Sequence, residues 1–225
     1  MIDQNYQVGE RRPIASRQRR IWQTIAHLLA RKSVNPNAIS VAGMLAGILA
    51  GLAIASTSLA AGSHWLWWAG AAMIQLRLLA NMLDGMVAVE SGRASRVGEL
   101  YNEVPDRVSD SATLIGAGYA LGGDVLLGLI AACVALFVAY VRVMGKAAGA
   151  SHEFCGPMAK QHRMFVLTLT CIYLGFVPRS FDPAWGPGGR RGLVAIALWL
   201  IIVGGVFTAL RRLYRISAML KKVTP

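Results

Sequence analysis

Between Ala38 and Ala61 the chain runs without one charged side chain. A segment that long and that apolar has few ways to fold in water. About 20 apolar residues are what a helix needs to cross a bilayer. Only a helix satisfies its own backbone there. The remaining composition agrees: 55% of the 225 residues are hydrophobic, 15% are charged, and mean hydropathy is +0.49. Soluble domains carry about 25% charged residues. A disordered chain and a soluble enzyme are both excluded as expectations. What remains is an all-α, polytopic membrane protein.

Further spans follow from the same criterion. Trp65–Val89 is long enough but contains Arg77 and Asp84. Asp106–Leu121 is apolar only in its second half. Val125–Val143 is broken only at Arg142, Met164–Val177 is short, and Gly192–Leu210 is clean. Six transmembrane helices are expected. The domain plan is a cytoplasmic N-terminus over 1–37, a six-helix body over 38–213 and a cytoplasmic tail over 214–225.

The 23 Lys and Arg outnumber 11 Asp and Glu, a net charge of +12. In a soluble protein this would suggest nucleic acid. Here the basic residues flank alternate span ends, so no nucleic-acid partner is expected. Arg11 through Lys32, then Arg93, Arg96 and Arg107, then Arg142 through Arg163, and Arg211 through Lys222 all fall on one side. The opposite side has Arg179, Arg190 and Arg191. Positive charge stays inside. Both termini are therefore expected in the cytoplasm, in a cell membrane in contact with anionic lipid. Trp65, Trp67, Trp68 and Trp185 cluster toward the opposite interface. Ile14–Arg31 repeats apolar residues at helical spacing with arginines between, which predicts an amphipathic helix on the inner membrane surface. No signal peptide is expected. The three cysteines form no spaced pair, so neither a disulfide frame nor a zinc site is expected.

Carboxylates inside a membrane helix are expensive and mark function by default. Arg77, Asn81 and Asp84 lie on one stripe of the second span, and Asn102, Asp106 and Asp110 on one stripe of the third. The two helices run in opposite directions, so Asp84 and Asp106 can meet near the cytoplasmic surface. Converging oxygens suit a hard cation, Mg²⁺ or Mn²⁺. A metal in a lipid-embedded pocket suits a substrate with both phosphates and acyl chains. The plainer reading is a set of polar contacts holding the bundle together. Arg77 and Asp110 both lie deeper. Either they pair beneath the site, or Arg77 touches phosphate.

The stretch Asn81-Met82-Leu83-Asp84-Gly85-Met86-Val87-Ala88, followed by Gly98, Asn102 and Asp106, resembles the signature of the CDP-alcohol phosphatidyltransferases, D-x2-D-G-x2-A-R-x8-G-x3-D-x3-D. Asp84, Gly85, Ala88, Gly98 and Asp106 match it in identity and spacing. Asn35-Pro36-Asn37-Ala38-Ile39-Ser40 is similar to the segment preceding that family's first span. The departures are Asn81 for the first Asp, Asn102 for the third and Val89 for the Arg. The resemblance implies transfer of a phosphatidyl group from CDP-diacylglycerol to an alcohol acceptor, releasing CMP. Carried over, Asn81, Asp84 and Asn102 are metal ligands and Asp106 is the general base. Asp84, Gly85, Ala88 and Gly98 adjoin the nucleotide. A homodimer is also implied.

Two neutral substitutions leave little charge for two divalent ions. Asp110 or Glu103 replaces the missing ligands, or Asp106 and Asp110 act as the third and fourth carboxylates, or one metal suffices, or activity is lost. The expected acidic members are Asp84, Asp106 and Asp110, with Asp106 or Asp110 as the base. Gly156 through Arg163 resembles the family's stretch leading into the fifth helix. Arg163, with Arg142, Lys160 and Arg77, is a candidate for phosphate or acceptor binding. Plain positive-inside charge is the competing account of Lys146 and Lys160. Two other functions stay open. One moves a phosphoalcohol from a soluble CDP-alcohol to a lipid hydroxyl. The other is a degenerate lipid-binding protein or a small transporter.

Overall fold

The computed structural model describes residues 20–60, 62–150 and 155–223. Seven α-helices account for most of them: α1 (Arg20–Arg31), α2 (Pro36–Ala55), α3 (His64–Glu90), α4 (Arg96–Tyr119), α5 (Val125–Ala147), α6 (Lys160–Phe176) and α7 (Leu193–Val223). Within the segment expected as an amphipathic surface helix, the chain is helical from Arg20. Its expected first part, Ile14–Arg19, lies outside the described residues. Asn35 ends the turn after α1 and starts α2. Its side chain accepts from the Asn37 backbone N–H, and Pro36 occupies the first helical turn, where its missing N–H is harmless.

Four helices are long and apolar enough to cross a membrane: α2 with the short turn after it, α3, α5 and most of α7. Large side chains such as Leu45, Leu49, Leu52, Phe137, Leu200 and Phe207 point outward, as they do where the surrounding solvent is hydrocarbon. The chain is thus a multi-pass membrane protein. The two remaining expected spans are helices, but of another kind. Helix α4 carries Glu99, Glu103, Asp106, Arg107 and Asp110, and α6 has only 17 residues. Beyond Leu210 no glycine or proline interrupts the pattern, so α7 continues to Val223. Most of the expected tail is therefore helical.

Helix α2 packs against both α3 and α4, which make little direct contact with each other. Its small residues allow this. A side-chain carbon on Gly47 would sit 2.4 Å from Ser109 Cβ, and one on Gly51 would sit 2.3 Å from the Ala112 carbonyl oxygen. Close backbone approach through a small-residue stripe is a common route to helix association in lipid. Thr113 strengthens the crossing by donating to the Gly47 carbonyl at 3.1 Å. Helix α6 packs on α3, α5 on α4, and α7 on α5. Ile54, Ile74, Leu114, Met164, Leu167, Leu198 and Ile201 form the buried interior between them.

Opposite the site, Asp124 caps α5 by accepting from the Leu127 N–H at 3.0 Å and from Arg191 Nε at 2.8 Å. Asp182 accepts from the Leu193 N–H at 2.8 Å, at the start of α7. These contacts close the α6–α7 connection over the ends of α4 and α5.

Candidate active site

Three helices bound one small cleft. Helix α2 contributes Ser40, Gly43 and Met44. Helix α3 contributes Arg77, Asn81 and Asp84, and α4 contributes Asn102, Pro105, Asp106 and Ser109. The two stripes foreseen on the second and third spans do converge, with α2 bridging them. Asp84 and Asp106 line the same space.

Asp84 is buried, and its Oδ2 accepts from Ser40 Oγ at 2.6 Å. The other oxygen accepts from the backbone N–H of Gly85. Asp106 is contacted at Oδ1 by Arg77 Nη2 at 3.3 Å and by the Lys160 ammonium at the start of α6. Asn81 joins the groups. With the amide assigned in the orientation that satisfies both of its polar atoms, its nitrogen donates to Asn102 Oδ1 at 2.8 Å and to Asp106 Oδ1 at 3.1 Å, while its oxygen accepts from Lys160 Nζ at 2.8 Å.

One turn deeper, Asp110 has a different environment. Its Oδ1 accepts from Arg77 Nη2 at 2.6 Å and its Oδ2 from Arg163 Nη2 at 3.0 Å. All three side chains are buried. Arg77 also donates through Nε to Ser109 Oγ at 2.8 Å and through Nη2 to the Asp106 carbonyl at 3.1 Å. Arg163 donates to the Met158 carbonyl at 3.0 Å. Two buried nitrogens, Arg77 Nη1 and Arg163 Nε, have no hydrogen-bond partner among the described residues. The expected Arg77–Asp110 pair is present, with Arg163 as a third member.

This arrangement revises the expected acidic trio. Asp84 and Asp106 face the cleft, while Asp110 lies outside its lining with both oxygens on guanidinium groups. Glu103 is not among the residues lining the cleft. It pairs with Arg107 and with Arg142, whose Nη2 lies 2.6 and 2.7 Å from its two oxygens. The expected acceptor-binding cations are therefore largely engaged within the protein. Arg142 is held by Glu103, Arg163 by Asp110 and Lys160 by Asp106. Gly85, Ala88 and Gly98 lie outside the cleft lining. Gly98 sits in the first turn of α4, where its N–H donates to the capping Ser95 Oγ at 3.0 Å.

Among the described residues, no three His, Cys, Asp or Glu side chains gather as a metal cluster. The donor set still suits one hard divalent ion. Two carboxylates and two amides share the cleft, and oxygen donors of both kinds are what Mg²⁺ and Mn²⁺ accept.

Sequence reasoning passed over Ser40. It lies in the quoted Asn35–Ser40 stretch, and a hydroxyl one turn inside a spanning helix was a usable signal. Lys160 was foreseen at the mouth but without its contact to Asp106. The Arg163–Asp110 pair joins residues 53 apart on different helices, and no periodicity relates them.

A sequence model described as CDP-alcohol phosphatidyltransferase matches residues 33–210. Phosphatidylinositol phosphate synthase of Streptomyces avermitilis is 28% identical over 199 residues, covering 86% of this chain and 76% of that protein. The enzyme of the same name from Mycolicibacterium smegmatis is 26% identical over 203 residues, covering 88% and 84%. Crystal structures of Mycobacterium tuberculosis phosphatidylinositol phosphate synthase share the fold at 24% identity. One, with CDP-DAG bound, has a TM-score of 0.69 and covers 88% of this chain and 94% of that one. Another, in complex with manganese and citrate, has a TM-score of 0.68 and covers 87% and 88%.

Proposed function

The chain belongs to the CDP-alcohol phosphatidyltransferase family, and from that premise we propose that it transfers a phosphatidyl group from CDP-diacylglycerol to an alcohol and releases CMP. The observation carrying this reading is the shared cleft. Asp84 and Asp106, with the amides of Asn81 and Asn102, line one space between α2, α3 and α4.

In the proposed reaction the acceptor hydroxyl oxygen bonds to the β-phosphorus of the CDP-lipid. The phosphoanhydride bond on the CMP side breaks, and CMP leaves with the bridging oxygen. Asp106 takes the hydroxyl proton. The nearest contacts of Arg77 and Lys160 are to Oδ1, and the proton is assigned to Oδ2. Arg77 Nη1, buried at the cleft without a partner among the described residues, donates to a phosphate oxygen there. The pairing of Arg77 and the phosphate role are then compatible, because different nitrogens serve them. A divalent ion held by Asp84, Asp106 and Asn102 would supply charge neutralisation of the diphosphate. Gly85, Ala88 and Gly98 flank the cytidine.

The nearby relatives' names suggest a phosphorylated polyol as acceptor, and inositol phosphate is the first to test. The engaged states of Arg142 and Arg163 favour trying uncharged alcohols beside it. We further place all six helices α2–α7 across the inner membrane, with both termini cytoplasmic and α1 on the membrane surface. Support comes from the basic residues at alternate helix ends and from exposed Ile21 and Leu28 on α1. The body over 38–213 then acts as one domain.

The test supplies CDP-diacylglycerol, Mg²⁺ or Mn²⁺ and a panel of alcohols to purified protein, and measures CMP. Release that depends on acceptor and metal is expected. No release with any acceptor or metal would point to a degenerate, non-catalytic relative. Release from a soluble CDP-alcohol with diacylglycerol as acceptor would support the reverse assignment.

A further inference from the structure

We propose that Lys160 is a built-in cation of this site, its ammonium filling the position between Asn81 and Asp106, so that the cleft takes up one divalent ion per chain. The inference rests on the cleft being the catalytic site, and it concerns how that site is charged.

The geometry starts with α6. Lys160 is its first residue, and its ammonium contacts Asp106 Oδ1 and the Asn81 oxygen together. The side chain is largely buried, at 16% exposure. A positive charge taken out of water needs compensating oxygens, and here they are the same oxygens that face the cleft. The amide of Asn81 completes the arrangement in a way that a carboxylate would not. In the assigned orientation its nitrogen donates to Asn102 and Asp106 while its oxygen serves Lys160. An aspartate at position 81 would lose both donations and place a second negative charge about 3 Å from Asp106, an arrangement in which like carboxylates do not both stay ionised. The two asparagines thus form a neutral bridge between α3 and α4 that suits a site already holding an ammonium.

The charge balance agrees. Asp84, Asp106 and Asp110 lie among Arg77, Lys160 and Arg163. Three carboxylates beside three cationic side chains leave no surplus negative charge to attract a pair of divalent ions. One ion remains feasible, because the hydrogen bonds Asp84 accepts come from neutral donors, Ser40 and the Gly85 N–H.

The experiment counts bound Mn²⁺ on the full-length protein in nanodiscs, reading free ion by electron paramagnetic resonance and checking folding by thermal melting. Wild type is expected to bind one Mn²⁺ per chain. Lys160→Met, which removes a positive charge beside Asp106, is expected to tighten Mn²⁺ binding by at least about tenfold. Lys160→Arg, which keeps the charge, is expected to stay near wild type. Two ions or none in wild type would overturn the proposal. So would Lys160→Met binding no tighter than wild type, or Lys160→Arg matching Lys160→Met. Should Lys160→Met fail to fold, the wild-type count decides alone. CMP release measured on the same samples keeps the two readings apart. Two ions with CMP release removes the built-in cation and spares the enzyme. One ion with no CMP release does the reverse.

Discussion

Asp106 and Asp110 stand one turn apart on the same face of α4, yet they live in different settings. Asp110 is sealed. Two guanidinium groups occupy its two oxygens, and it is not among the residues lining the cleft. Asp106 is also near cations, but it lines a cleft that opens beside α2. The same chemical group is thus a buried ion-pair member at one depth and, in the proposed reaction, the proton acceptor at the next. What separates them is one turn of helix, about 5.4 Å, and the side from which arginines arrive.

Breaking the deeper layer should give the largest loss of stability. Asp110→Asn leaves two buried guanidiniums facing a neutral amide, and is expected to cost about 3–5 kcal/mol, read by thermal or chemical denaturation in detergent. Adding Arg77→Gln should restore only part of it, because Arg163 still lacks its carboxylate. Equal stability of Asp110→Asn and wild type would remove this ion-pair role. The shallower layer should respond in rate instead. Asp106→Asn is expected to lower CMP release by about 10²–10⁴-fold, the range for a lost general base, with a much smaller stability change than Asp110→Asn. Ser40→Ala removes the hydroxyl that satisfies Asp84 and should cost about 1–3 kcal/mol, partly recovered by Ser40→Thr. A Ser40→Ala protein as stable as wild type would show that Asp84 finds water there.

The smallest effect lies at the far end. The Leu127 N–H, and after it Arg191, hold the Asp124 carboxyl below its ordinary value of 3.8 against a weaker opposing effect of burial. A depressed folded value means stability that is complete above about pH 4 and lost as pH falls further. Asp124→Ala should cost about 1 kcal/mol as a lost helix cap and should flatten the acid limb of the stability curve. An unchanged acid limb would contradict this role.

Much of the architecture was legible in the order of residues. All six expected spans are helices, because long apolar runs between Asn-Pro, Gly and charged punctuation leave little choice. The Arg77–Asn81–Asp84 and Asn102–Asp106–Asp110 stripes were legible because 3.6 residues per turn sets them without tertiary knowledge. What escaped was everything that depends on a third helix. Gly43, Gly47 and Gly51 admit α2 between α3 and α4, and their small-residue spacing was a signal left unread. Lys160 and Arg163 read as inward positive charge, since nothing local to α6 reveals the aspartates across from it. The span expectation for α4 met its limit for a related reason. Charges that would expel a lone helix from lipid are neutralised here by α3, α5 and α6.

The most direct test of the account compares CMP release from CDP-diacylglycerol by wild type and by Asp106→Asn, per folded molecule, with a divalent ion and an alcohol acceptor present. The account predicts release by wild type and a loss of at least about a hundredfold in the variant. Equal rates for the two proteins would contradict it.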